Sequence, residues 1–468
     1  MPSVLNTLVR ARPVTAGPIV GHTTPSSARL WGRGAFERQG SAVRRCHGVV
    51  EVRRGDIVVF ADYFPMKAHF DFTGVIDVTG LDPGTQYTYR MGYIVADMEP
   101  EQLGKVRSDM LVDASAGEFR TADPATTDLS FVFGSCRYLL KLFNLSIFDD
   151  RGDKTFRSIR EQMLAGRKTD LMLMLGDQIY ADDMTTSINP DDEASEFHAR
   201  YRDAFTTPHL RALMSTLPTY MAMDDHEIEN NWTQDGYTSK HKLYNVAMAA
   251  YAAYQQAHGP SLVFHGDNKK LSEIPLERYY RFDHGPAGFF ILDTRTERFR
   301  EFEPPEMIGR QQLRELKRWL STSTARWKFV GTSVPMFPDH RKESTDKWSG
   351  FREQRREILD YILDKQIRDV VFLSGDVHCS FWAELSHPQH PDFLVRQVVS
   401  SAFFWPFPAE SRDHFQASGA LDGEGPYVVA SAPKYRSEDN FTRMSISAQG
   451  LDVEIFDRKG KLLTRKQW

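Results

Sequence analysis

Cysteine is scarce in this chain: three residues in 468, at Cys46, Cys136 and Cys379. So few, so far apart, exclude a secreted disulfide framework and suit a reducing compartment. Long apolar runs are missing too, since nothing approaches the roughly 20 residues that a membrane-spanning helix needs. Nor is there an excess of positive charge. Lys and Arg total 58 against 63 Asp and Glu, a net charge of -5, which offers no basic track for a nucleic-acid backbone and little attraction to anionic lipid. The first residues, Met1 to Pro13, hold no apolar segment ahead of a small-residue cleavage site, so the expectation is a cytoplasmic chain without an export signal. Internal repeats and low-complexity segments are absent. What is present is an ordinary soluble composition, 41% apolar and 26% charged, in a chain long enough for two domains.

Residues 1–124 read as all-β. Ala28-Arg-Leu-Trp31, Gly48-Val-Val-Glu-Val52, Asp56-Ile-Val-Val-Phe60, Gly74-Val-Ile-Asp-Val78 and Gly117-Glu-Phe-Arg-Thr121 are short β-branched or aromatic runs separated by turn residues. Leu81-Asp-Pro-Gly-Thr-Gln-Tyr87-Thr-Tyr89 resembles the corner of fibronectin type III and immunoglobulin-like sandwiches, with Tyr87 as the tyrosine that bonds back to nearby backbone. A linker over 122–128 follows.

From 125 to 468 apolar runs alternate with helical ones. Helix-like segments fall at Lys154 to Lys168, Lys242 to His258, Gly309 to Thr322 and Phe351 to Gln366; the tail, Thr442 to Ala448 and Leu451 to Phe456, alternates like an antiparallel hairpin. Strand and helix in alternation imply an α/β domain layered as helix, sheet and helix. Four of the apolar runs end in residues that bind metals or move protons. Leu129 to Phe133 leads into Gly134-Ser-Cys136-Arg137, and Leu171 to Leu175 into Gly176-Asp177-Gln-Ile-Tyr180. Thr219 to Met223 leads into Asp224-Asp225-His226-Glu227, and Val370 to Leu373 into Ser374-Gly375-Asp376-Val-His378. Chemistry in α/β sheets gathers at the carboxyl ends of strands, so these tips are expected to converge.

Ligand softness divides them into two unlike sites. Cys136, Asp177, Tyr180 and His378 favour a trivalent, redox-capable ion such as ferric iron. Asp225, Asp376 and a shared Asp177 are all oxygen, which favours calcium, magnesium or manganese. A bridging carboxylate would hold two ions about 3.5 to 4 Å apart, a spacing suited to in-line displacement at phosphorus.

The same residues carry a family resemblance. Gly176-Asp177, Asp225-His226-Glu227 and Gly375-Asp376-Val-His378 resemble metallophosphoesterase blocks, and the Asp177-x-x-Tyr180 spacing resembles that of purple acid phosphatases, whose phenolate binds ferric iron. Cys136 stands where an Asp-based first block is usual, and Asp replaces the Asn of the third block and the first His of the last. Those departures, with Asp224-Asp225-His226-Glu227-Ile-Glu-Asn230-Asn231-Trp232, Leu292-Asp-Thr-Arg295 and Asp346-Lys-Trp348-Ser-Gly350-Phe351, resemble the alkaline phosphatase D (PhoD-like) family over nearly the whole chain. The resemblance implies a metallophosphoesterase-type layered sheet sandwich with helices outside, and phosphoester hydrolysis at a centre of ferric iron plus calcium, with manganese, magnesium or zinc as alternatives.

In the mechanism these residues suggest, a hydroxide on or between the ions attacks phosphorus. His226 protonates the leaving oxygen or holds a phosphoryl oxygen, Glu227 orients its imidazole, and Arg137 and Arg295 clamp the phosphate, with pairing to a structural carboxylate as the other reading of Arg295. The substrate is then a small phosphate ester, mono- or diester. A phospholipase D-like diesterase on lipid-type substrates is the alternative within the fold, and a binding protein with a vestigial site the alternative outside it. Cys46 and Cys379 read as buried hydrophobes, Asp224 as a residue just behind the ligands, and Asn230 and Asn231 as neighbours of the site. His340 is a remote candidate for substrate contact. The aromatic run Phe403-Phe404-Trp405-Pro406-Phe407-Pro408 is either packing or a source of preference for a hydrophobic leaving group.

Overall fold

A computed structural model of the chain describes residues 9–36, 45–96, 98, 100–139, 141–142, 145–146, 151–182, 193–260, 263–265, 270–273, 277–342 and 344–468. Two compact units emerge: residues 1–124 with 205–219 and 249–275, and residues 125–204 with 220–248 and 276–468.

The first unit carries two antiparallel sheets. One joins Ala16–Thr23, Ser27–Arg33 and Thr73–Thr79; the other orders Arg12–Pro13, Gln86–Ala96, Arg45–Arg54 and Ile57–Met66, with Ser115–Arg120 also paired to Gln86–Ala96. Alternate residues of both sheets, among them Val20, Leu30, Val50, Phe64, Ile76 and Met91, form its core. The Tyr87 hydroxyl accepts from the Asp82 backbone N–H at 2.8 Å, the bond a tyrosine corner makes. The unit differs from an all-β stretch ending at 124. Pro208–Met214 and the end of Tyr237–Tyr254 belong to it: Arg211 donates to the Gly17 and Val14 carbonyls, and Trp31 Nε1 to Ala253 O at 2.8 Å. These helical pieces follow a long interval of sequence, so no local pattern assigns them to the β-rich segment.

The second unit has two sheets where strand and helix alternation suggests one. The first orders Thr219–Ala222, Leu171–Leu175, Leu129–Gly134, Asn440–Ser447, Gly450–Asp457 and Leu462–Gln467. Leu171–Leu175 runs parallel to Leu129–Gly134, and the tail hairpin pairs antiparallel on its other side. The second orders Tyr280–His284, Ala287–Ile291, Trp327–Gly331, Val370–Ser374, His390–Val399, Phe381–His387, Val428–Ser431 and Ser418–Ala420, parallel from Ala287–Ile291 through His390–Val399. Phe131, Phe133, Leu173, Phe289, Phe329, Leu373 and Met444 share one core. The opposite residues of the second sheet, Phe290, Val330 and Phe372, pack with Leu316, Trp319, Ile358 and Ile362 of helices Arg310–Thr322 and Arg352–Asp364. Each central strand is buried on both faces, which is why it is written as an uninterrupted apolar run rather than an alternating one. No helix among the described residues is long and apolar enough to cross a membrane.

Candidate metal centre

Four candidate ligands at the strand tips share an uncommon backbone. Cys136, Asp177, Asp376 and His378 have φ of 55°, 56°, 68° and 49°, in the left-handed region that non-glycine residues adopt at some cost. Gly176, at φ 106°, makes a close approach possible: a Cβ there would lie 2.5 Å from the Cβ of Asp224.

Cys136, Asp177 and Tyr180 come together. The Cys136 thiol lies 3.3 Å from Asp177 Oδ2, and the Tyr180 hydroxyl 3.4 Å from the same oxygen. Ser401 links two strand tips, its Oγ donating to Cys136 Sγ at 3.2 Å and accepting from the His378 backbone N–H at 3.1 Å. Ser135 Oγ accepts from the Asp376 N–H at 3.2 Å.

The all-oxygen side departs from the expected set. Asp224, Asp225 and Asp376 offer oxygens within 4.8 Å of one another, and Asp177, Asp225 and His226 form a second such group. Asp224 therefore belongs with the converging carboxylates, and the residue common to both groups is Asp225 rather than Asp177. Asn231 N–H donates to Asp225 Oδ2 at 2.6 Å.

Glu227, Arg137 and Arg295 are each engaged in contacts within the protein. The Glu227 carboxylate accepts from the backbone N–H groups of Asp177, Gln178 and Asp224. Asp182 also stands beside His226, its Oδ1 lying 2.6 Å from His226 Nδ1 while its Oδ2 accepts from Asn230 N–H at 2.6 Å. Arg137 is buried, with Nε on the Gly152 carbonyl and Nη1 on that of Ala204. Arg295 does reach the centre but as an internal cation, wholly buried, with donors on Asp224 and Asp346 and Nη2 3.6 Å from Asp225. Asp346 also accepts from Arg298 and Lys347, and Lys347 in turn pairs with Asp376. Neither Asp346 nor Lys347 carries a role on sequence grounds, although both lie in the Asp346 to Phe351 block. His340 stands apart, its ring edge-on to Phe415 at 4.8 Å and its Nε2 3.5 Å from Glu410.

Burial and crowding set the proton affinities. Burial pushes Asp177 well above the usual carboxylate range, and Asp224 adds to the rise. Burial likewise lifts the Cys136 thiol and the Tyr180 phenol, each next to Asp177. Asp376 rises to about 7, burial outweighing Lys347. Burial also acts on Asp225, but the charges of Arg295 and His226 more than offset it, and its pKa falls. For His226 burial opposes the proton, yet Asp225 and the bond to Asp182 hold its pKa well above the ordinary value. His378 falls to about 3 through burial and the neighbouring cations.

A metal fits this arrangement. Asp177 Oδ1, Asp224 Oδ2 and His378 Nε2 are buried without a hydrogen-bond partner, whereas buried acceptors in folded proteins are nearly always satisfied. Bound cations satisfy acceptors of this kind, and binding them displaces the protons that burial favours.

Comparison with known proteins agrees. The family model described as PhoD-like phosphatase matches residues 146–444. Alkaline phosphatase D of Bacillus subtilis (strain 168) is 26% identical over 378 residues, which cover 70% of this chain and 56% of that protein. The match thus spans little more than half of that relative's length. Among solved structures, that of PhoD superposes with a TM-score of 0.68 at 18% identity, covering 99% of this chain and 94% of the other. The purple acid phosphatase PPD1 from yellow lupin (Lupinus luteus) seeds gives 0.60 at 13% identity, covering 97% and 74%; at such identities these two likenesses concern the fold. With a family model matched over more than half its length, the chain belongs to the PhoD-like phosphatase family.

Proposed function

We propose that the protein hydrolyses phosphoric esters at a two-metal centre. One observation carries the reading: Asp177, Asp224 and His378, each just beyond the end of a separate strand, hold buried acceptors without a hydrogen-bond partner, and Asp177 and Asp224 each belong to a group of side chains whose ligand atoms lie within 4.8 Å of one another. Cys136, Asp177, Tyr180 and His378 would hold ferric iron, and Asp224, Asp225 and Asp376 a harder ion such as calcium, in keeping with their donor types. Ions held there supply charge neutralisation at the phosphoryl oxygens and a more acidic attacking water.

The chain's own part is to place and move a proton. With Nδ1 committed to Asp182, His226 presents Nε2 to the leaving oxygen as general acid. Glu227 fixes the turn that carries Asp177 and Asp224 by gathering their backbone amides. Arg295, anchored by Asp346, offsets the mutual repulsion of the carboxylates. We read the first unit as a fibronectin type III-like sandwich on the strength of the Tyr87 corner, and the compartment as reducing on three free, buried cysteines. The substrate is a small mono- or diester. Elemental analysis combined with assays on a phosphomonoester, a diester and a triester tests the proposal; a protein free of metal and inactive on all three would return it to a binding role.

A further inference from the structure

The centre has an aromatic flank that the chemistry above leaves unused. Trp405 lies flat on the imidazole of His378, centroids 3.6 Å apart and planes 13° from parallel, and 5.9 Å from the ring of Tyr180. Phe407 continues outwards, 5.0 Å from Trp405 and 5.3 Å from Tyr138, edge to face in both pairs. Tyr138 closes the back, 5.1 Å from Tyr180. A line of rings therefore runs from two proposed ligands to solvent.

The segment is built to hold its shape. Phe403 N–H donates to Ser135 O at 2.9 Å, Phe404 N–H to Cys136 O at 3.3 Å, and Tyr138 N–H to Phe404 O at 3.1 Å. The aromatic run is thus sewn to the strand tip that supplies Cys136. Trp405 is fixed at both ends, its N–H on Asp439 Oδ1 at 3.1 Å and its indole N–H on the Pro408 carbonyl at 3.4 Å. Pro406 and Pro408 restrict the backbone between and beyond the two rings. Phe403 and Phe404 are buried, as ordinary core residues are, but Trp405 is only half-buried and Phe407 is 37% exposed. Apolar rings left partly in water beside a reacting centre cost solvation that a bound apolar group would recover.

We propose that Trp405 and Phe407 form a shelf for the alcohol portion of the substrate, selecting phosphoric esters whose leaving group carries a flat aromatic ring. The selection rests on the hydrolase reading, and two measurements separate their fates. Esters of 2-phenylethanol and 1-propanol differ in ring content but little in leaving-group acidity, so their ratio of kcat/KM reports the shelf and not bond reactivity. Wild type favours the phenylethyl ester, and Phe407→Ala lowers the ratio about five-fold, in line with the usual strength of aromatic contacts. Trp405→Phe lowers it less, and metal content measured on each variant shows that His378 still holds its place. Calorimetric binding of the matching phenylethyl and propyl phosphonates, which cannot be hydrolysed, gives the second readout. Tighter phenylethyl binding that Phe407→Ala abolishes, in a protein that cleaves neither ester, supports the shelf and overturns the hydrolase. Equal binding of the two phosphonates, or a kcat/KM ratio unmoved in Phe407→Ala, overturns the shelf.

Discussion

His226 Nδ1 and Asp182 Oδ1 lie 2.6 Å apart. The contact fixes which ring nitrogen faces the centre and supports a proton on the imidazole, whose pKa stands well above its ordinary value despite burial, through Asp225 and Asp182. Asp182→Asn keeps the shape and removes the charge. It should lower turnover about ten- to a hundred-fold with metal content unchanged. Because Asp182 raises the pKa of the acid, its loss should move the alkaline limb of the pH and rate profile to lower pH. An unshifted limb would show that His226 is not the acid.

Asp346 is the counterweight for three buried cations, Arg295, Arg298 and Lys347. Burial alone would raise its pKa, but those charges hold it well below the usual carboxylate range. Its stabilising contribution is therefore complete at neutral pH and disappears in acid, as the carboxylate is protonated. Asp346→Ala strands the cations and should cost about 3 to 5 kcal/mol, read as a fall in the denaturation midpoint at pH 7.

His258, in the first unit, has its pKa lowered to about 4 by burial. The unfolded chain takes up a proton below about 6.5 while the folded one resists until about 4, so stability falls as pH drops through that window, by at most on the order of 3 kcal/mol. Hydrogen exchange over Ala16–Thr23 and Ser27–Arg33 at pH 4.5 and 7 should show the loss, and His258→Gln should flatten it.

Tyr87→Phe removes the acceptor of the Asp82 N–H and should destabilise the first unit by about 1 kcal/mol, measured by equilibrium denaturation.

Local pattern and tertiary arrangement divide what the sequence reveals. Asp177, Tyr180, Asp225, Asp376 and His378 are legible because each follows a strand buried on both faces, whose apolar run marks the tip. Asp346 and Lys347 follow no strand, and Asp182, two residues beyond Tyr180, stands in no recognisable block, so their contacts depend on what the fold brings beside them. Glu227 and Arg137 illustrate a related point: both stand next to candidate ligands in sequence, and the fold engages them with backbone groups distant in sequence, contacts that no local pattern announces. The doubling of the sheet is also hidden, because a strand covered by a second sheet reads the same as one covered by a helix.

The proposed phosphoester hydrolysis depends on a metal centre at these strand tips. Asp177 sits at its heart, with Cys136 and Tyr180 on one oxygen and the other oxygen buried and unpartnered. Metal equivalents and phosphodiester hydrolysis, measured together on wild type and Asp177→Asn, test it most directly. Two ions and activity in the wild type, both lost in the variant, are predicted. An Asp177→Asn protein that keeps its ions and its rate, or a wild type that hydrolyses the ester with no metal bound, would contradict it.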